Sequence, residues 1–95
     1  FGGSTVNYSE LIENGAVIVD VRTPQEYRSG NIRGSLNIPL DQLKGNLKKI
    51  KKDKPVIVCC ASGMRSGAAK GVLQSNGFTQ VYNAGSWHKL TKYVN

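Results

Sequence analysis

Histidine and cysteine are almost missing from this chain. There is one histidine, His88, and there are two cysteines, Cys59 and Cys60, side by side. A zinc site needs about four such ligands at set spacings, so the composition gives a metal no support. A bridge between neighbouring cysteines would be strained and would close almost no chain, which excludes a disulfide framework. Long apolar runs are missing too: none approaches the ~20 residues of a membrane-spanning helix. No signal-peptide pattern and no tandem repeat is visible. The chain opens on Phe1. A cytoplasmic setting is therefore expected, with a periplasmic or organellar one if a targeting segment was removed. A free, reactive thiol also fits a reducing compartment best.

Acidic residues are scarce as well, six against thirteen Lys and Arg, for a net charge of +7. Much of the excess sits in Lys44, Lys48, Lys49, Lys51, Lys52 and Lys54. Two readings are open: the solvated face of a helix, or a field that attracts anionic substrates or an acidic partner. Nucleic acid is not expected, because the lysines are not interleaved with aromatics and no recognised motif accompanies them. Ninety-five residues make one domain, expected to be a monomer, and residues 1–5, with Gly2, Gly3 and Ser4, read as a flexible lead-in.

What is present is an alternation of strands and helices. Asn7 with Glu10 forms a helix start, Leu11 and Ile12 face the core, and Gly15 ends that helix. Residues 16–21 are apolar but for Asp20, the pattern of a strand covered on both faces. Thr23-Pro24-Gln25-Glu26 starts a second helix, with Thr at the cap, Pro first and Glu third, and Gly30 ends it. Residues 35–38 form a short strand stopped by Pro39. Leu40, Leu43, Leu47 and Ile50 recur at helical spacing, which predicts a lysine-faced helix weakened by Gly45. After the strand and helix described below, residues 80–82 read as a last strand and Asn83-Ala84-Gly85 as a turn. Ser86 then caps a final helix carrying Leu90 and Trp87, a core lid. Such alternation argues for a parallel sheet with helices on both faces. Ligands then sit beyond the carboxyl ends of the strands, where Asp20 and Cys60 both fall.

The central stretch starts with Val56-Ile57-Val58-Cys59-Cys60, a β-branched run bounded by Pro55 and Gly63. A small-residue loop follows, then a helix with Ala68, Ala69, Val72 and Leu73 on one face, ending at Gly77. Cys60 stands at the mouth of that loop. Backbone N–H groups and the positive end of the helix converge there, and Arg65 adds a permanent charge. Such surroundings lower a thiol's pKa and make a nucleophile of Cys60. The bland alternative, a cysteine that merely packs, is the preferred reading of Cys59. Asp20, Arg22 and Glu26 read as a supporting ion-pair cluster between strand and helix.

Val58-Cys59-Cys60-Ala61-Ser62-Gly63-Met64-Arg65-Ser66 resembles the active-site loop of the rhodanese family of sulfurtransferases, Cys-x-x-Gly-x-Arg-Ser. Residues 19–27, with Gly30-Asn31-Ile32-Arg33-Gly34-Ser35 and Asn37-Ile38-Pro39, resemble the family's other signature. Asn31 stands where the family usually has His. The resemblance implies a small α/β domain with a parallel five-stranded sheet. It implies transfer of a sulfane sulfur from thiosulfate or a similar small anion to a thiol or cyanide, through a Cys60 persulfide, without metal or organic cofactor. Ala61, Ser62, Gly63, Met64 and Ser66 would bind the substrate, with Arg65 binding the donor's sulfonate or bracing the loop, and Arg33 and Met64 on the rim. A cysteine-dependent phosphatase or arsenate reductase is the main rival. The cell-cycle dual-specificity phosphatases, which resemble rhodaneses in fold, carry a longer loop than the six residues from Cys60 to Arg65, and a phosphatase wants a carboxylic acid that the loop lacks. A Cys60–His88 hydrolase and a persulfide carrier serving a thiol-bearing protein partner are further alternatives.

Overall fold

Four segments, the central two rich in β-branched residues, pair into one parallel sheet in a computed structural model that describes residues 5–94. Apart from Thr5, the expected lead-in lies outside the described residues. In chain order the regular elements are α1 (Tyr8–Glu13), β1 (Val17–Asp20), α2 (Pro24–Arg28), β2 (Leu36–Asn37), β3 (Val56–Cys60), α3 (Met64–Ser75) and β4 (Val81–Ser86). The sheet order is β2-β1-β3-β4, all parallel. The implied fifth strand is a correction: among the described residues the sheet has four. Each apolar run that read as a strand is one of those four. The other described segments are helical or irregular, so no further run remains to pair.

Side-chain alternation along β3 divides the interior in two. On one face Val56, Val58 and Cys60 pack with Val19, Val21, Leu43, Ala69 and Leu73. On the other, Ile57 and Cys59 pack with Ile18, Ile32, Ala84 and Leu90, under Leu11, Ile12 and Trp87. All five β3 residues are buried, which is why that strand reads as continuous apolar sequence. The caps follow the expected chemistry. Asn7 accepts from the Glu10 N–H, and Thr23 with Glu26 closes a reciprocal box over α2; such a cap contributes ~1 kcal/mol.

Two expectations fail for local reasons. The lysine-rich segment is not an α-helix but two 3-10 turns, Leu40–Gln42 and Lys44–Lys49. Asn46 leaves helical geometry (φ −128°, ψ 21°) right after Gly45. The leucine spacing is partly shared by the i, i+3 period of a 3-10 turn, so Leu43 and Ile50 are still buried. Asn83-Ala84-Gly85 is not a turn but part of β4, which carries a bulge. Val58 pairs with Asn83 and Cys59 with Gly85, so Ala84 is the extra residue. Gly85, at φ +81°, supplies the left-handed conformation that the bulge needs. Trp87–Tyr93 is likewise 3-10, started by Ser86 Oγ accepting from the His88 N–H at 3.3 Å. Among the described residues no helix is long and apolar enough to cross a membrane.

Candidate active site

β3 ends at Cys60, the chain turns through residues 61–63, and α3 begins at Met64. The turn closes on Gly63, at φ +110°. That left-handed φ calls for glycine there, while the space beside it, with the Gly85 Cα 3.4 Å from where a Cβ would stand, would admit one. Gly63 is also the N-cap of α3 and has no side chain with which to cap it. The Cys60 sulfur takes that role. It accepts from the Gly63 N–H at 2.9 Å and from the Ser66 N–H at 3.4 Å. Ser66 is the third residue of α3, the one whose N–H an ordinary capping side chain binds. The Ser66 hydroxyl lies 3.3 Å from the same sulfur.

Cys60 is wholly buried, and burial by itself disfavours a thiolate. The Ser66 hydroxyl and the N–H groups of Ser66, Gly63 and Ser62 outweigh that cost and hold the Cys60 thiol below an ordinary cysteine. Cys59 has the same burial and none of this help. Desolvation, with the Asp20 carboxylate next, pushes its thiol up to about 12.

Two arginine–carboxylate pairs flank the loop. Asp20 and Arg22 are both buried and form a fork, Arg22 Nη2 to Asp20 Oδ2 at 2.7 Å and Nε to Oδ1 at 2.9 Å. Arg22 also donates to the Glu26 and Gly30 carbonyls at 3.3 and 2.7 Å, beneath the Trp87 ring at 4.6 Å. It thereby ties β1 to α2. Arg65 is forked onto Glu26, at 2.7 and 2.9 Å. Glu26 accepts from the Thr23 N–H with the same carboxylate. The Arg65 guanidinium, then the Thr23 N–H, draws the Glu26 carboxyl down to about 2. Glu26 is thus a carboxylate near neutrality, with no proton to give a leaving group.

The remaining expected residues are distributed around this centre. Ala61 and Ser62 are exposed on the turn, and Met64, 84 % exposed, stands at the rim. Arg33 is exposed, and Asn31 donates to the Tyr27 carbonyl at 2.8 Å, closing α2. His88 stacks on Trp87 with ring centroids 4.0 Å apart. A hollow of about 340 Å³, lined by Val21, Thr23, Pro39, Leu40, Asp41 and Arg65, opens beside the loop. Among the described residues no group of three or more His, Cys, Asp or Glu is placed to hold a metal ion. One site residue was missed from sequence. Asn83, read as part of a turn, is aimed by the bulge at Ser66, its Oδ1 2.6 Å from the hydroxyl. The Asn-x-Gly spacing at the end of a strand was the available signal.

The chain is similar in sequence and fold to known proteins. The family model described as a rhodanese-like domain matches residues 4–92. Protein YqhL of Bacillus subtilis, described as uncharacterized, is 47 % identical over 72 % of this chain and 54 % of its own length. Thiosulfate sulfurtransferase PspE of Escherichia coli is 41 % identical over 70 % of this chain and 66 % of its own. The chain thus spans between half and two thirds of these two relatives. Among solved structures, a "rhodanese with anions from E. coli" superposes with a TM-score of 0.74 at 35 % identity, over 79 % of this chain and 91 % of that one.

Proposed function

This chain belongs to the rhodanese-like domain family, and from that premise we propose that it moves a sulfane sulfur through Cys60. The observation that carries the reading is the pair of N–H donors on the Cys60 sulfur, from Gly63 and Ser66, with the Ser66 hydroxyl 3.3 Å away. A thiolate held there needs no general base. It attacks the outer sulfur of thiosulfate, or of a similar small anionic donor. The bond from that sulfur to the sulfonate breaks, and sulfite leaves with the electron pair. Cys60 then carries a persulfide whose negative outer sulfur is held by N–H groups of the loop from Ala61 to Ser66. A thiol or cyanide attacks the outer sulfur and takes it, and the Cys60 thiolate returns. This is covalent catalysis in two half-reactions, with ping-pong kinetics.

In this reading Arg65 is mainly a brace. Its fork onto Glu26 ties the loop to the N-terminus of α2 and keeps the turn closed round the sulfur. Asp20 and Arg22 support the same edge from below, and Met64 and Arg33 border the approach. The name of the Escherichia coli relative, a thiosulfate sulfurtransferase, supports thiosulfate as donor. A thiol-bearing protein, cyanide or a small thiol would serve as acceptor.

The test is mass spectrometry of the protein after incubation with thiosulfate. A gain of one sulfur atom on Cys60, lost on adding cyanide, is the expected result. No gain, in a protein whose Cys60 still alkylates as a thiolate, would overturn the reading and favour oxyanion hydrolysis. Comparing cyanide with a small thiol as acceptor, by release of thiocyanate or of hydrogen sulfide, then separates the two acceptor classes.

A further inference from the structure

Ser66 Oγ has one proton and three polar neighbours: two carbonyl oxygens that can accept it and a sulfur that can accept it only as thiolate. Asn83 Oδ1 is 2.6 Å away, the Gly63 carbonyl 3.1 Å and the Cys60 sulfur 3.3 Å. The shortest of these is the bond to Asn83, and there the proton rests. The orientation of the Asn83 amide is fixed by its other contacts. Oδ1 also accepts from the Gly85 N–H at 2.9 Å, and Nδ2 faces the Gly63 carbonyl at 3.4 Å. While Asn83 holds the hydroxyl proton, Ser66 Oγ turns a lone pair to Cys60 and accepts from its S–H. That arrangement suits the thiol. The thiolate needs the opposite one, with the hydroxyl turned to donate to sulfur and its bond to Asn83 given up.

We propose that Asn83 is a positioning residue that competes with the Cys60 sulfur for the Ser66 hydroxyl proton, and so limits how far the thiol is driven toward thiolate. The proton that leaves Cys60 goes to solvent; Ser66 keeps its own and only reorients. The use of such a restraint follows from thiolate chemistry. A thiolate loses intrinsic nucleophilicity as its pKa falls, with a Brønsted coefficient of ~0.4–0.5, so the best attacking thiol titrates near the ambient pH. Other titratable and charged groups stand around the sulfur: Arg65 on α3 and the Cys59 thiol on β3 lie within electrostatic reach of Cys60, Glu26 on α2 is paired with Arg65, and Asp20 on β1 is paired with Arg22 beside Cys59. The Lys89 ammonium lies beside Gly85, 3.7 Å from where a Cβ there would stand. None of them bonds to the Ser66 hydroxyl proton, so a variant series at Asn83 and Ser66 isolates the competition.

The experiment measures the rate of Cys60 alkylation by iodoacetamide against pH, in the Cys59→Ala background, and uses no sulfur donor. Its outcome is therefore independent of the sulfur-transfer reading: loss of persulfide formation with an intact alkylation profile would sink that reading and leave this one standing. Asn83→Leu keeps the size of the side chain and removes the acceptor. It should move the inflection to lower pH and lower the high-pH plateau, by about two-fold for each ~0.7 pH unit of movement at a Brønsted coefficient of ~0.4–0.5. In a Ser66→Ala background the same substitution should change neither. An inflection that stays or rises in Asn83→Leu, or an equal shift with and without Ser66, would overturn the proposal. If Asn83→Leu does not fold, Asn83→Val, a strand-favouring residue on the exposed position, is read by the same criteria.

Discussion

Cys59 and Cys60 are covalent neighbours with identical burial, yet they are opposite kinds of thiol. Cys59 points into the sheet face packed by Ile18, Ile57, Ala84 and Leu90. There its sulfur is surrounded by hydrocarbon, with a carboxylate near by, and its proton is held until about pH 12. Cys60 points the other way, to the end of the sheet where α3 begins, and its sulfur accepts from the Gly63 and Ser66 N–H groups beside the Ser66 hydroxyl. Burial raises a thiol's pKa only where nothing replaces the lost water; oriented N–H and O–H groups reverse the sign. One residue of register along a strand therefore separates an inert thiol from an activated one.

The sharpest test of that contrast exchanges the two thiols in turn. Cys60→Ser should abolish persulfide formation, whereas Cys59→Ala should keep most of it. Equal loss in two folded variants would mean that the strand register does not select the nucleophile. The next largest effect is expected from Gly63→Ala. The left-handed φ, strained for alanine, would force the turn to shift and would misplace the 2.9 Å donor on the sulfur. A hydrogen bond to a charged group is worth about 1.5–3 kcal/mol, so the thiolate fraction below the inflection should fall about ten- to a hundred-fold. Stopped-flow alkylation at pH 6 reads it directly. Retention of the wild-type rate would remove the turn from the account of activation.

The two arginine pairs offer a second comparison at smaller scale. Breaking the buried fork, by Asp20→Asn, leaves Arg22 without its countercharge. Loss of a partner from a buried pair costs about 3–5 kcal/mol, measurable by urea unfolding. The exposed fork behaves differently. Glu26 has a depressed pKa in the folded chain, so its contribution to stability is complete above the unfolded value of ~4.3. That contribution is lost as pH falls through about 2. Glu26→Gln should therefore lower the melting temperature at pH 7 slightly and leave it unchanged near pH 2. A difference of equal size at both pH values would mean that the substitution acts through packing and not through charge.

The smallest effect is expected from the lysines. Lys51, Lys52 and Lys54 precede the amino end of β3, and the Lys52 ammonium stands over Phe78 at 5.3 Å. Cys60 is at the other end of that strand, about 16 Å away at ~3.3 Å per residue. That is twice the Debye length of ~8 Å at physiological ionic strength. Changing the three to Gln should alter kcat/KM for thiosulfate by less than about two-fold at physiological salt, with a larger fall only at low salt. A fall in kcat would place these charges nearer the chemistry than the fold does.

The motif from Cys60 to Ser66, the capping box Thr23–Glu26 and the apolar strand runs are properties of contiguous residues. Their chemistry is local, so reading along the chain was enough to place the loop after Cys60 and four strand segments. The fifth strand came from resemblance alone, and no further apolar run stood behind it. The lysine-faced helix failed because the same leucine spacing serves a 3-10 turn, and Gly45 with Asn46 tips the backbone to the tighter form. Contacts between distant residues were not legible. Arg65 finds Glu26 across thirty-nine positions, and Ser66 finds Asn83 across seventeen. Which side chains occupy the loop cation and the Ser66 proton depends on the β4 bulge and on the packing of α2 beside α3. The sequence by itself determined that Cys60 would be a thiol within reach of N–H groups. Only the tertiary structure decided what those groups are themselves bonded to, because a hydrogen-bond donor is shared among whatever acceptors the fold brings within three ångströms or so.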